Sequence, residues 1–188
     1  GASLKLTDLR KANLRNADLT GADLRDADVR GADLTDAVLL KADLRSTDFR
    51  KSVLETAKLA EADLDGAYLD QVDLSDADLT RTRLVEAGLK GADLCGAHLV
   101  KANLRKADLR NATLRKANLA GSDLRKANLQ GADLRKVNLS GANLSGADLR
   151  KSRLTKAKLT KADMHGTDLR KANVSGTDLK AAKGIKNQ

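Results

Sequence analysis

An apolar residue returns at every fifth position along almost the whole chain. If that position is called i, it falls at residues 4, 9, 14 and onward to 179 without insertion or deletion, which makes 36 repeats. Position i is leucine in 32 repeats, and position i−2 is alanine in 26. The four exceptions at position i are also apolar: Val29, Phe49, Met164 and Val174. A spacing as regular as this admits very few architectures.

A period of five excludes both an ordinary helix and a flat strand. On an α-helix, a five-residue step turns the side chain by about 140°, so the leucines would form no stripe. On a flat strand, an odd period would place successive leucines on opposite faces. The pattern instead fits a short extended piece that ends in a bend at i+2, where 11 of the 14 glycines lie. We therefore predict a coil with i−2 and i facing inward and with i−1 and i+1 facing outward.

The repeated strings "ANLRK", "ADLRN" and "ADLTG" fit the pattern A(D/N)LXX. Over residues 2–182 the chain therefore resembles the pentapeptide repeat family. The resemblance implies an all-β fold, a right-handed quadrilateral β-helix with four repeats per coil and about nine coils. We expect residues 1–182 to form a single β-helix domain, uninterrupted from residue 4 onward, and residues 183–188 to form a short C-terminal tail.

The composition excludes several classes of protein. No apolar run approaches the ~20 residues of a membrane span, and a single cysteine allows neither a disulfide framework nor a multi-cysteine zinc site. The net charge of +9 is uneven, with −5 in residues 1–94 and +14 in residues 95–188. Such asymmetry suggests either a partner for one end or two joined blocks of different origin.

Four repeats per coil would stack residues twenty apart, and the face through Leu9 then carries a mostly basic column at i+1. The basic residues of this column, here called the arginine ladder, are Arg10, Arg30, Arg50, Lys90, Arg110, Arg150 and Arg170. The ladder is a candidate anion-binding column, because phosphate contacts give affinity without sequence specificity. However, an aspartate two residues earlier accompanies all six arginines. We favour a self-neutralised column and keep the anion site as an alternative.

The face through Leu19 is nearly free of charge at i+1, which makes it a candidate lateral contact face. Its residues of interest are Thr20, Val38, Leu40, Ala60, Val100 and Ala120. The alternative is an ordinary neutral surface, since scattered exposed apolar residues are common on soluble proteins.

Neither catalysis nor metal binding is expected from this sequence. His98 and His165 lie on different predicted faces, and Cys95 beside His98 supplies only two ligands, which do not make a zinc site. A rod filled with leucine and alanine offers no cleft for converging catalytic groups. We therefore predict a protein that is not an enzyme, without cofactor, metal site or catalytic residues.

The two ends of the rod are candidate contacts between copies. A β-helix leaves unpaired backbone groups on its terminal coils, and exposed edges invite pairing with another chain. Leu6 is the only leucine at a bend position, and Ile185 is the one apolar residue placed to plug the other end. We expect end-to-end association, preferably through the N-terminal coil.

The sequence favours a non-catalytic interaction scaffold that displays charge columns to a protein partner. The alternative is binding of nucleic acid or another anionic surface by the basic C-terminal half, although aromatic platforms for stacking bases are absent. The family resemblance adds a third function, mimicry of DNA toward DNA gyrase, which the charge of +9 opposes. We expect a cytoplasmic protein, with a leader removed before Gly1 as the open alternative.

Overall fold

The computed structural model describes residues 1–185, so the expected tail is seen only as far as Ile185. Parallel β-bridges join residues twenty apart along the whole described chain, from Ser3 with Asp23 to Asp163 with Lys183. Four repeats, or twenty residues, therefore complete one coil, and residues twenty apart stack on the same side of the rod. The last bridge reaches into residues 183–188, the segment that the sequence assigns to the tail.

Each repeat contributes a single bridge residue at i−1 and a turn at i+1 and i+2, in place of a long strand. The N–H of position i donates to a carbonyl of the next coil, as from Leu104 to Asp123 at 2.7 Å. Within the repeat, the N–H of i+3 donates back to the carbonyl of i, as from Ala107 to Leu104 at 3.1 Å. Between residues 1 and 185 the one helix is a 3₁₀ turn, Leu179–Ala181.

The bend requires a left-handed residue at i+2 in every repeat. From Leu6 to Gly176 each i+2 residue has a φ between 54° and 72°, and most of them are not glycine. A left-handed residue with a side chain costs about 1–2 kcal/mol. The turn is held because the N–H of i+2 donates across to the next coil, as from Lys101 to the carbonyl of Ala120 at 3.0 Å.

The core is a stack of nearly identical leucine and alanine layers, in agreement with the predicted inward positions. Leu104, Leu109 and Phe49 have no exposed surface, and Met164 is almost fully buried. Where serine or threonine replaces alanine at i−2, its hydroxyl donates to a backbone carbonyl, as from Ser122 to Leu119 at 2.8 Å. In the described part of the chain no buried side-chain nitrogen or oxygen lacks a partner.

The layers are incompletely covered at both ends of the stack. Leu4, Leu9 and Leu14 in the first coil, and Leu169 and Val174 in the last, are only half-buried. Coils stack against them on one side only. The stabilisation per leucine is therefore greatest in the middle of the rod and smaller at its ends.

Replacement of Leu104 by alanine should lower the free energy of unfolding by about 2–5 kcal/mol, since a buried cavity remains. Leu14→Ala is the matched control at a half-buried position and should cost clearly less. Leu104→Asp adds a buried carboxylate and should unfold the surrounding coils. Urea unfolding followed by circular dichroism measures all three, and equal losses at residues 14 and 104 would contradict the layered core.

Lys101→Gly should raise stability by about 0.5–1 kcal/mol, because relief of the left-handed penalty of about 1–2 kcal/mol outweighs the greater freedom of glycine in the unfolded chain, about 0.4–1 kcal/mol. Lys101→Ala is the control, which removes the same side chain but keeps the strained backbone. Thermal melts of the two variants should rank glycine above the parent and alanine at or below it. A melting temperature equally raised in both would show that loss of the lysine charge is the cause.

Candidate functional site

The outward aspartates and asparagines at i−1 have a structural task. In every repeat with Asp or Asn there, its Oδ1 accepts a hydrogen bond from the N–H of i+1, for example Asp8 from Arg10 at 3.1 Å. Among the described residues, the N–H of i+1 donates to no backbone carbonyl of a neighbouring coil. The side chain thus satisfies a donor that the β-ladder leaves free.

In two repeats, an aspartate of the preceding coil accepts the hydrogen bond from the N–H of i+1. Their i−1 residues are Arg83 and Gly88, which cannot accept this hydrogen bond. The N–H of Val85 donates to Asp65 at 2.8 Å, and that of Lys90 donates to the aspartate twenty residues before it at 2.9 Å. Sequence reasoning missed these substitutes. The sequence signal for such a substitute is an aspartate at i+1 that lies twenty residues before the i+1 position of a repeat without Asp or Asn at i−1.

The same aspartates also bind the guanidinium groups of the arginine ladder. In all six pairs Nε donates to Oδ1 at 2.8–3.0 Å and Nη2 to Oδ2 at 2.5–2.6 Å. The aspartates are Asp8, Asp28, Asp48, Asp108, Asp148 and Asp168. Nε of Arg10 also lies 3.7 Å from Asp28 of the next coil. Each guanidinium already holds a carboxylate, so an incoming anion meets only the remaining N–H donors.

This two-point pairing is not confined to the ladder. Arg25, Arg45 and Arg125 on the preceding face, and Arg135 on the following one, bind the aspartate two residues earlier in the same way. Sequence reasoning considered aspartate–arginine pairs on the Leu9 face alone and missed these four. The local string Asp-x-Arg is the signal, wherever it falls. Lys90, the one lysine of the ladder, forms no ion pair within residues 1–185.

The pairing lowers the pKa of the carboxyl groups. The side chain of Arg10, by its hydrogen bonds, brings the pKa of Asp8 down to about 2, and Arg170 does the same to Asp168. Hydrogen bonds from Thr35 lower the pKa of Asp33 to about 2. A carboxyl whose pKa is lower in the folded chain contributes stability above its unfolded pKa of 3.8. That contribution is lost as the pH falls toward 2.

The stability of the rod should therefore be constant above about pH 5 and fall between pH 4 and 2. Asp108→Ala loses both the ion pair and the acceptor for the N–H of Arg110, and should cost about 1–2 kcal/mol at neutral pH. Asp108→Asn keeps the acceptor and should cost under about 1 kcal/mol. Melting temperatures of both variants from pH 2 to 7 check this. A parent as stable at pH 2 as at pH 6 would contradict the lowered pKa values.

A shallow basic depression runs along the corner beside the first part of the ladder. Its volume is about 420 Å³, and Lys11 and Lys51 line it together with three ladder arginines. The guanidinium of Arg50 also lies 5.8 Å from the ring centre of Tyr68, which is half exposed. The ladder itself is interrupted by Asp70 and Gln130. The depression offers lysine ammonium groups in addition to the paired guanidinium groups.

The residues of the candidate lateral contact face, here called the uncharged column, differ in exposure from the residues at the two ends. Thr20 is exposed, while Val38, Leu40, Ala60, Val100 and Ala120 are half-buried. Leu6 is 72% exposed at its left-handed turn. Ile185 is half-buried and packs against the core at the opposite end. Among the described residues the exposed large apolar side chains are Leu6 and Tyr68, and neither belongs to the uncharged column.

The histidines and the cysteine do not converge. His98 is exposed, Cys95 is half-buried and unbonded to another cysteine, and Nδ1 of His165 lies 2.6 Å from Asp163. Across residues 1–185, no three His, Cys, Asp or Glu side chains come together as a metal site would need. The same stretch contains no helix that is long and apolar enough to cross a membrane.

The geometry defines a class of protein, a solenoid of stacked five-residue repeats, and comparison with known proteins agrees with it. The family described as pentapeptide repeats matches in eight copies. The matched ranges include residues 2–39, 37–76, 62–100, 73–111, 87–125, 102–141 and 147–183. The chain belongs to the pentapeptide repeat family. No curated protein sequence matches it.

Several solved structures are similar to the chain. HetL, a pentapeptide repeat protein involved in heterocyst differentiation regulation from the cyanobacterium Nostoc sp. strain PCC 7120, is 37% identical. The match covers 97% of this chain and 92% of HetL, with a TM-score of 0.69. Rfr23 from the cyanobacterium Cyanothece 51142 is 34% identical over 50% of this chain and 62% of its own, with a TM-score of 0.31. A trypsin-treated form of QnrB1, a plasmid-mediated fluoroquinolone resistance protein, is 20% identical over 97% of this chain and 88% of its own, with a TM-score of 0.49.

Proposed function

We propose that this protein is a non-catalytic, rigid scaffold that presents fixed columns of charge to a protein partner. Its body would be a single domain, residues 1–182, wound as about nine right-handed coils. The arginine ladder carries the proposal. Its guanidinium groups are held by two hydrogen bonds each and recur at the spacing of one coil, about 4.8 Å. Side chains that are ordered before binding lose little entropy when a partner docks.

The similarity to HetL supports a role of this kind. HetL is involved in regulation, and it shares the repeat architecture over nearly the whole of both chains. On the ladder, the guanidinium donors that Asp does not occupy would bind carboxylates or backbone carbonyls of the partner. Leu6 and Ile185 would serve contacts between rod ends, and the uncharged column would be a lateral contact. We do not extend the proposal to DNA gyrase, because a net charge of +9 opposes mimicry of DNA.

A second candidate function is binding of nucleic acid or another anionic surface by the basic half. The observation that favours it is a set of basic side chains without ion pairs in the C-terminal half. Lys101, Arg105, Arg115, Lys126 and Lys151 all lie in this half, and none has an ion pair within the described chain. Affinity of this kind falls steeply with salt. A protein partner held by the ladder would be less sensitive to salt.

The test is capture of partners on the immobilised protein from a lysate of the source organism, measured by quantitative mass spectrometry. The variant Arg30→Gln, Arg50→Gln, Arg150→Gln alters the ladder. The matched control Arg25→Gln, Arg45→Gln, Arg125→Gln removes identically paired arginines from another face. A partner lost by at least about tenfold on the ladder variant, but kept on the control, is the expected result. Equal capture by both variants would overturn the proposal, and loss on nuclease treatment would favour the second function.

A further inference from the structure

The face that follows the arginine ladder along each coil, here called the split face, divides its charge by height along the rod. Its outward residues are the i−1, i+1 and i+2 positions of the repeats at Leu14, Leu34 and every twentieth residue onward to Val174. We number these repeats as levels one to nine, so that level one contains residues 13–16 and level nine contains residues 173–176. Levels stack directly because the β-bridges join residues twenty apart.

Acidic residues occupy the lower levels of the split face and basic residues the upper ones. Levels two to four carry acids and no base: Asp33, Asp36, Glu55, Asp73 and Asp76. Levels six to eight carry six bases and one acid: Arg115, Lys116, Arg135, Lys136, Arg153 and Lys156, with Asp133. The net charges of levels two, three and four are −2, −1 and −2, and those of levels six, seven and eight are +2, +1 and +2. Level five, with Asp93 and Cys95, lies at the centre.

Most of these charges are free of ion pairs inside the molecule. Among the described residues of levels two to eight, only Asp33 with Arg15 at 3.1 Å, and Arg135 with Asp133 at 2.6 Å, form an ion pair. This contrasts with the ladder, where each guanidinium is bound to a carboxylate. Asp36 and Asp73 accept hydrogen bonds from Thr56 and Ser75, each at 2.6 Å, but these leave their charges unpaired. Charges without an ion pair among the described residues are available to a partner outside the chain.

We propose that two copies of this chain pair side by side and antiparallel through their split faces. The two-fold axis would lie at level five. Level two then faces level eight, level three faces level seven and level four faces level six, and the net charges of each pair cancel. A parallel arrangement would place every level against its own copy, like charge against like. The pairing uses another surface than the proposed function does and does not depend on it.

The symmetry also fixes which side chains meet. A two-fold axis in the plane of the interface and across the rods keeps each column opposite the same column. Asp33 then faces Arg153 of the second copy, and Glu55 faces Arg135. In the turn column, Asp36 faces Lys156 and Asp76 faces Lys116, and each of these contacts occurs twice. Sliding by one level leaves at most two such contacts, Asp36 with Lys136 and Glu55 with Arg115. It also sets aspartate against aspartate, as Asp33 against Asp133, so the charges favour the centred register.

The shape of the face agrees with this arrangement. Levels two to four carry short side chains apart from Glu55, while levels six to eight carry long arginines and lysines. Except where Glu55 meets Arg135, long side chains therefore meet short ones across the interface. At the axis, Cys95 faces the other copy's Cys95 and Asp93 faces the other copy's Asp93. Gly96 lies beside them, and the carboxylate of Asp76 occupies the space that a side chain at Gly96 would take. Cys95 is half-buried and outward, so its thiol reports directly on the pairing.

The first test is sedimentation of three variants. Asp36→Lys with Asp76→Lys, and Lys116→Asp with Lys156→Asp, should each be monomeric at concentrations where the parent is dimeric. These turn positions tolerate the changes, since Lys and Asp occupy left-handed turns throughout the chain. An equimolar mixture of the two variants should restore dimers, because every altered lysine then meets an aspartate. Asp26→Lys, at the same turn position on another face, is the control and should stay dimeric.

The second test is covalent capture through Cys95. A short bismaleimide joins two thiols by addition to its two double bonds and needs no oxidant. It should yield a dimer from the parent and from Leu6→Ser, which removes the candidate end contact. The yield should drop at least about tenfold in Asp36→Lys with Asp76→Lys. Salt raised from 0.1 M to 1 M should weaken the dimer similarly, since the Debye length falls from about 10 Å to about 3 Å.

Several outcomes would overturn the proposal. They are a parent that stays monomeric at millimolar concentration in 0.1 M salt, a mixture of the two variants that remains monomeric, and self-association abolished by Leu6→Ser but not by the charge reversals. Binding of a polyanion by the basic levels without any self-association would also overturn it. The ladder variants leave the split face unchanged, so failure of the proposed function would not affect these results.

Discussion

Hydrogen bonds from coil to coil are the constraint on which this structure depends. Each coil must present its carbonyls and N–H groups at the same heights as the next, so each must contain twenty residues. An extra residue would move the following leucine off the inward side and break the ladder for the rest of the turn. The uninterrupted repeat, the thin leucine layers and the left-handed corner in every repeat all follow from this requirement.

Much of the fold could be predicted from the sequence because one period encodes it. The inward side of positions such as Leu104 and the bend at i+2 are local properties, and glycine at the bend reports a positive φ. The hydrogen bonds from Val85 to Asp65 and from Lys90 to Asp70 could not be predicted in the same way. They join residues twenty apart, and the need for them appears only once the free N–H of i+1 is seen.

The charged surfaces were harder to predict than the core, for a related reason. The composition distinguishes an acidic half from a basic half, but the net charge of each half is a sum over all four faces and does not show how charge is distributed on any one of them. On the ladder each level is nearly balanced, since Arg10 and its neighbours bind an aspartate of their own repeat. On the split face the charges are separated by several coils. Only the stacking register reveals that most of the acids there, such as Asp36, form no ion pair within residues 1–185.

The left-handed corner has a consequence for how such a molecule changes over time. Leu6, Lys101, Glu86 and Gly121 all adopt nearly the same backbone conformation there. The corner therefore accepts an aliphatic, cationic or anionic side chain, or glycine with none, with little effect on the packing of the core. Surface chemistry and folding are thereby decoupled. During evolution, outward residues can therefore be substituted one at a time while the packing of the interior stays the same.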